Sequence, residues 1–327
     1  MLVLAREEVE SLLDPRALID AVATAMADLS AGRASMPERV AAFVAEREGL
    51  LGAMPGYVPS LNALTAKLVT LFPGNAGGPL PTHQALLGAF DPDTGEPLAI
   101  MDGAAITALR TAAGSALSTR LLARPDPGVL AIVGTGVQAR AHARAVPLVR
   151  EFAELRIAGR DAAKAERLAA ELRDEGLPAQ AAASSAEAIR GAGVVCATTH
   201  ALEPVIRREW LSPGTHVTSV GYNPQGRELD DATVLDALVI VESRANALAP
   251  VPAGANDLTQ PIRDGLISAG HIHAEIGELV SGDRPGRSSD EQITLYKSVG
   301  VAVQDSAAAA LVLDRARRQG IGRQVAI

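Results

Sequence analysis

The chain has 327 residues, 48% of them hydrophobic and 21% charged, enough for two domains that each bury a core. Its 38 acids against 30 bases give a net charge of −8, and the absence of any run of about five or six like charges excludes nucleic acid and anionic membrane surfaces as expected partners. The single cysteine, Cys196, cannot form an internal disulfide and points to a reducing, cytoplasmic setting, and no apolar stretch of about 18 residues reads as a membrane span. Only Lys67, Lys164 and Lys297 break an otherwise all-arginine set of bases. Each retained lysine therefore needs a reason.

Over residues 14–32, the spacing of Leu18, Ile19, Val22, Ala25, Met26 and Leu29 after an Asp-Pro start predicts an amphipathic helix. Residues 40–102 change to short apolar runs broken by Gly and Pro: AAFVAE, GLLGAMPGYV, ALTAKLVTLF, HQALLGAFD and GEPLAIMD. These read as strands of an antiparallel sheet. The Ala-rich stretch 106–123 predicts a helix stopped by ARPDPG. Beyond it GVLAIVGTG, AELRIAG, GVVCATT, THVTSVG and ALVIVES alternate with helical segments, the pattern of a parallel, doubly wound sheet. Residues 290–320 read as one long helix burying Val299, Val303, Ala307, Ala310, Leu311 and Leu313. It has no strand to feed and is expected to rejoin the first domain.

The expected fold class is therefore α/β. A doubly wound (Rossmann-type) dinucleotide-binding domain, residues 125–290, is inserted into an α+β domain made of residues 1–124 and 291–327.

Gly134-Thr135-Gly136-Val137-Gln138-Ala139 stands directly after the strand VLAIV and before a helix. In a dinucleotide fingerprint, Gly134 would permit the tight turn and Gly136 would let a pyrophosphate approach the backbone. The small Ala139 would let helix and strand touch. A plain tight turn is the alternative. Where the second strand should end in an acid for the adenosine ribose, Gly159 is followed by Arg160 and Asp161. Arginine there suits a 2′-phosphate, which favours NADP, while Asp161 leaves NAD open.

Lys67 lies on an apolar strand, where a lysine can snorkel to solvent or act as a buried ammonium whose proton is available for chemistry. Arg110 sits on an Ala-rich helix with no acid at positions 106, 107, 113 or 114, which invites an anionic ligand. His271 and His273 share a strand face without a third ligand nearby, so no metal is expected. Cys196 reads as packing. No GxSxG, P-loop lysine or CxxC supports a hydrolase, kinase or disulfide-exchange enzyme.

The segments TAKLVTLFPGN, PTHQALLGAFDPDTGEPLAIMDGAAITALRTAA, VGTGVQA, HVTSVGYNPQGREL and TLYKSVGVAVQD resemble the ornithine cyclodeaminase/mu-crystallin family over nearly the whole chain. The resemblance implies a homodimer whose N-terminal segment and C-terminal helix form the substrate and dimerisation domain. It implies a substrate-carboxylate cluster of Arg39, Lys67 and Arg110, with Arg110 also reaching the cofactor. A phosphate contact is implied at Thr111, and further cofactor contacts at Thr82, Gln138, Thr198, Val220, Arg227 and Ser298.

One position departs from the family pattern. Where cyclodeaminating members carry an aspartate this chain has Asn223, and its loop to Glu228 is one residue shorter. An amide is no general base. The expected activity is therefore NAD(P)-dependent hydride exchange with the α-carbon of an amino acid or α-imino acid, as in a ketimine reductase or amino-acid dehydrogenase. Lys67 would polarise the imine and Asn223 would orient it, with an amino acid or cyclic imine as substrate. The alternatives are an ornithine cyclodeaminase making proline and ammonia, and a crystallin-like, NADP-dependent ligand-binding protein without turnover.

Overall fold

The computed structural model describes residues 1–250 and 253–326. Two compact units emerge, one of Met1–Arg110 with Ala302–Ile327, the other of Thr111–Val301. The sequence places the boundaries after residue 124 and before residue 291. Here the division falls inside one helix, Gly103–Leu122, and at the start of the last helix, Ala302–Gln319.

The first unit is built on a sheet of β1 (Leu2–Leu4), β2 (Val40–Val44), β3 (Gly49–Val58), β4 (Ala63–Leu71), β5 (His83–Phe90) and β6 (Pro97–Asp102), closed by the terminal strand Arg323–Gln324. The expected antiparallel meander runs from β2 to β6, and β1 adds to β6 in parallel. Alternation along β4 turns Ala63, Thr65 and Lys67 to the buried face, where helices Pro15–Ser30 and Ala302–Gln319 pack. Asp14 caps the first of these helices, its carboxylate accepting the Ala17 N–H at 2.8 Å, with Pro15 beginning the helix.

In the second unit β7 (Val129–Val133), β8 (Glu154–Ala158), β9 (Ala179–Ala181), β10 (Val194–Ala197), β11 (His216–Ser219), β12 (Leu238–Val241), β13 (Ile272–Glu275) and β14 (Thr294–Lys297) form a parallel sheet in the order β13-β12-β14-β11-β10-β7-β8-β9. Successive residues fill opposite cores. Ala131, Val133, Val195 and Val217 face one side, and Leu130, Ile132, Val194 and Cys196 the other.

β14 corrects the single helix expected over residues 290–320. Leu295 and Tyr296 fill a central strand buried on both faces, and Gly300, at φ +76°, turns the chain before the helix begins at Ala302. Of the positions expected in that helix, Val303, Ala307 and Leu313 are buried there, Ala310 and Leu311 are half-buried, and Val299 lies ahead of it. No helix among the described residues is long and apolar enough to cross a membrane.

Candidate active site

Four strands of the second sheet end in step. Parallel register places Val133, Ala197, Ser219 and Lys297 side by side at the ends of β7, β10, β11 and β14. The next residue of each, Gly134, Thr198, Val220 and Ser298, forms a row just beyond the sheet's carboxyl edge. Backbone N–H groups continue the ladder, from Thr198 to Val133 at 2.9 Å, from Val220 to Ala197 at 3.1 Å and from Ser298 to Ser219 at 2.9 Å. β8 and β9 extend to one side of β7, and β10, β11 and β14 to the other. Doubly wound sheets bind their ligands outside this edge at such a reversal.

The glycine loop is shaped for a diphosphate. Gly134 adopts φ +132°, and a Cβ there would lie 2.3 Å from Thr198 Oγ1, so no other residue fits. A Cβ on Gly136 would meet nothing within 4 Å. That glycine caps helix Val137–Ala145 without any side-chain acceptor for the first-turn N–H groups, which leaves an exposed helix N-terminus for an anion. Ala139 is buried beneath it against Leu130 and Ile132. Gln138 Oε1 is buried without a hydrogen-bond partner, and the Gln138 carbonyl accepts His142 Nδ1–H at 2.8 Å. Thr111 is buried in the helix Gly103–Leu122.

At the end of β8, Arg160 is exposed, whereas Asp161 caps the next helix by accepting the Lys164 N–H at 3.1 Å. Ser298 donates to Glu242 Oε1 at 2.9 Å, and Arg227 pairs with Asp231 one turn on. Thr82 lies exposed just ahead of β5, in the first unit.

Asn223 lies in the loop after β11. Its Nδ2 donates to the His200 carbonyl at 3.1 Å and its Oδ1 accepts the Gln225 N–H at 2.9 Å. Both polar ends of the amide are thus engaged in building the loop, where the sequence suggests an imine-orienting group.

The first unit carries a buried charge cluster. Lys67, 2% exposed, pairs through Nζ with Asp305 Oδ2 at 2.8 Å, while Arg110 Nε donates to the other Asp305 oxygen at 3.0 Å and Arg110 Nη1 to Gln304 Oε1 at 3.1 Å. Burial lowers the Lys67 pKa to about 8, against the opposing pull of Asp305, and the charges of Arg110 and Arg39 lower it further. For Asp305 burial pushes upward, but Lys67 and Arg110 outweigh it and hold the carboxyl below its ordinary value. Two cations thus share one carboxylate, and Arg39 adds positive charge within electrostatic range.

Sequence reasoning finds Lys67 and Arg110 but misses Asp305 and His83. An acid in the buried first turn of an Ala-rich helix was the available signal for Asp305. His83 lies half-buried on the same sheet face as Lys67, its pKa pushed down to about 4 by burial and then by Lys67 and Arg110, so its imidazole is neutral at pH 7. His271 and His273 donate ring N–H groups to the carbonyls of Val234 and Pro285 at 2.8 and 2.9 Å.

The model of the ornithine cyclodeaminase/mu-crystallin family matches residues 1–320. The chain belongs to this family. It is 39% identical over 316 residues to the ketimine reductase mu-crystallin of Mus musculus, covering 95% of this chain and 96% of the relative. Among solved structures, Thermococcus litoralis Δ1-pyrroline-2-carboxylate reductase in complex with NADH and L-proline is 36% identical with a TM-score of 0.95, covering 99% of this chain and all, 100%, of that one. An archaeal alanine dehydrogenase dimer with bound NAD is 32% identical with a TM-score of 0.92, covering 100% and 99%. Both structures share the Rossmann-type architecture described above, so the family's fold and this chain's agree.

Proposed function

We propose that this chain is an NAD(P)-dependent oxidoreductase of α-imino and α-amino acids, working as a ketimine reductase or amino-acid dehydrogenase. The observation that carries the reading is the buried pair of Lys67 and Arg110 sharing Asp305, a cationic site that an α-carboxylate completes. The glycine loop with Arg160 would hold the cofactor's phosphates. The cofactor supplies or accepts the hydride at the substrate's α-carbon. Arg110 and Arg39 fix the carboxylate. Lys67, largely an ammonium at pH 7, polarises the imine nitrogen and gives it a proton, a role its lowered pKa suits. Arg160, exposed where a ribose acid would stand, supports NADP, since Asp161 is engaged in capping.

A second copy is the proposed partner. Val40, Leu51, Leu68, Leu86 and Ile100 are exposed on one face of the first sheet, opposite Lys67, a contiguous apolar patch of the kind a symmetric dimer buries. Light scattering should give the dimer mass, and Leu68→Glu should shift it to the monomer.

The activity test is a spectrophotometric screen of cyclic imino acids, and of 2-oxo acids with ammonia, against NADH and NADPH. Oxidation of the cofactor with stoichiometric amino-acid formation is expected. Conversion of ornithine to proline and ammonia without net cofactor change would replace this reading with the cyclodeaminase one.

A further inference from the structure

Beneath the carboxyl edge of the second sheet lies a second set of buried charges, which neither the glycine loop nor the carboxylate cluster uses. Lys297, 1% exposed, ends β14. Its Nζ donates to Ser219 Oγ at 2.9 Å and to the Gly221 carbonyl at 3.0 Å, and pairs with Asp257 Oδ2 at 2.8 Å. Asp257 Oδ1 accepts the N–H groups of Glu228 and Leu229 at 2.8 and 2.9 Å. The buried Glu228 carboxylate accepts from Thr199 N at 2.6 Å, Thr199 Oγ1 at 2.8 Å, Ser219 Oγ at 2.7 Å and Gly221 N at 2.8 Å. Packing is so close that a Cβ on Gly221 would lie 2.3 Å from the Glu228 carboxyl carbon and 2.2 Å from the Thr199 carbonyl oxygen.

A buried ion pair is weak evidence for stabilisation, because apolar groups of equal volume often serve as well. Apolar groups cannot, however, hold N–H, C=O and hydroxyl groups of separate segments at fixed distances. Here Thr199 follows Thr198, Ser219 and Gly221 flank Val220, and Lys297 precedes Ser298. The network therefore grips the immediate neighbours of every row member contributed by β10, β11 and β14. In a dinucleotide fold the half carrying the glycine loop, here β7 to β9, takes the adenosine end, and the other half takes the nicotinamide end.

We propose that Lys297, Asp257 and Glu228 are positioning residues that set the Thr198, Val220 and Ser298 shelf for the nicotinamide end of the cofactor, independently of the adenosine end. The proposal rests on the cofactor reading above.

The test is calorimetric titration of the full chain and of Glu228→Gln and Lys297→Met with matched ligands, NADH against ADP-ribose and NADPH against 2′-phospho-ADP-ribose. Affinity for the complete dinucleotide should fall about tenfold or more while that for the nicotinamide-free fragment stays within about twofold. Equal losses for both ligands, or none for either, overturn the proposal. Ser219→Ala removes only the hydroxyl shared by Lys297 and Glu228 and decides the matter if the charge variants do not fold. It should weaken the dinucleotide by about threefold or more and spare the fragment, and an unchanged ratio overturns the proposal. If the wild-type chain binds neither ligand, the cofactor reading itself falls and the proposal with it. Wild-type binding of both, with no selective loss in the variants, sinks the proposal alone.

Discussion

Asp305→Asn isolates what the carboxylate does for Lys67. In the wild type the Lys67 ammonium, with a pKa of about 8, should give kcat/KM for an imino acid an alkaline limb near pH 8, because the free amine can neither hold an anion nor donate a proton. Two unit charges about 4 Å apart interact by roughly 4 kcal/mol at an effective dielectric near 20, and the Lys67–Asp305 contact is shorter, 2.8 Å. At about 1.4 kcal/mol per pKa unit, losing the carboxylate charge is worth up to about three units. The amide still accepts a hydrogen bond and water can enter, so a fall of about one to two units is expected. The sign is fixed: removing an anion disfavours the ammonium, so the limb moves toward acid. The assay is the pH profile of kcat/KM, with Lys67→Arg as the control, whose guanidinium keeps its proton throughout and should lack the limb while turning over slowly. A limb that stays near pH 8 in Asp305→Asn, or persists in Lys67→Arg, would refute the assignment of the proton to Lys67.

The two loop glycines should fail differently: Gly136→Val should fold with an unchanged melting temperature and lose cofactor binding, whereas Gly134→Ala should destabilise the fold, since its Cβ would meet Thr198 Oγ1 at 2.3 Å. Thermal melts with and without cofactor separate the two. Arg160→Ala should weaken NADPH about tenfold or more and leave NADH nearly unchanged, because a charge-assisted phosphate contact is worth about 1.5 to 3 kcal/mol. Equal titration losses for both cofactors would remove Arg160 from the site. Asn223→Asp should set a carboxylate oxygen against the His200 carbonyl in place of the present, solvent-exposed 3.1 Å hydrogen bond, a loss worth about 0.5 to 1.5 kcal/mol locally. Imine reduction should slow and acquire a new pH dependence, and an unaltered steady-state pH profile would show that the loop does not reach the chemistry.

Much of the fold is legible because its signals are local. The meander from β2 to β6 and the strands β7, β8, β10, β11 and β12 each announce themselves as an apolar run between turn residues. β14 does not, because TLYK runs into SVGVAVQD with no break except Gly300, and a short apolar run looks the same in strand and helix. Lys67 is legible through the scarcity of lysine. Arg110 is legible because its own helix offers no acid, but the acid exists, 195 positions away on the last helix. No spacing rule reaches that far. Thr198, Val220 and Ser298 come into view through family likeness, and only the strand register explains why they belong with Gly134.

The two buried charge systems show why burial alone does not mark a ligand site. Around Lys297 the carboxylates outnumber the ammonium, yet both Asp257 oxygens accept hydrogen bonds and Glu228 receives four donors from the chain itself. Such a system has no call for an external ion and acts on the backbone it binds. Around Lys67 the imbalance has the opposite sign: two cations divide one carboxylate on an apolar, Ala-rich face, and burial drags the lysine's pKa down. There the missing charge is an anion, which on the function proposed above an α-carboxylate would supply. On the roles proposed above, the count of charges left unanswered, rather than their depth, is what would separate a group that meets substrate from one that holds the shelf.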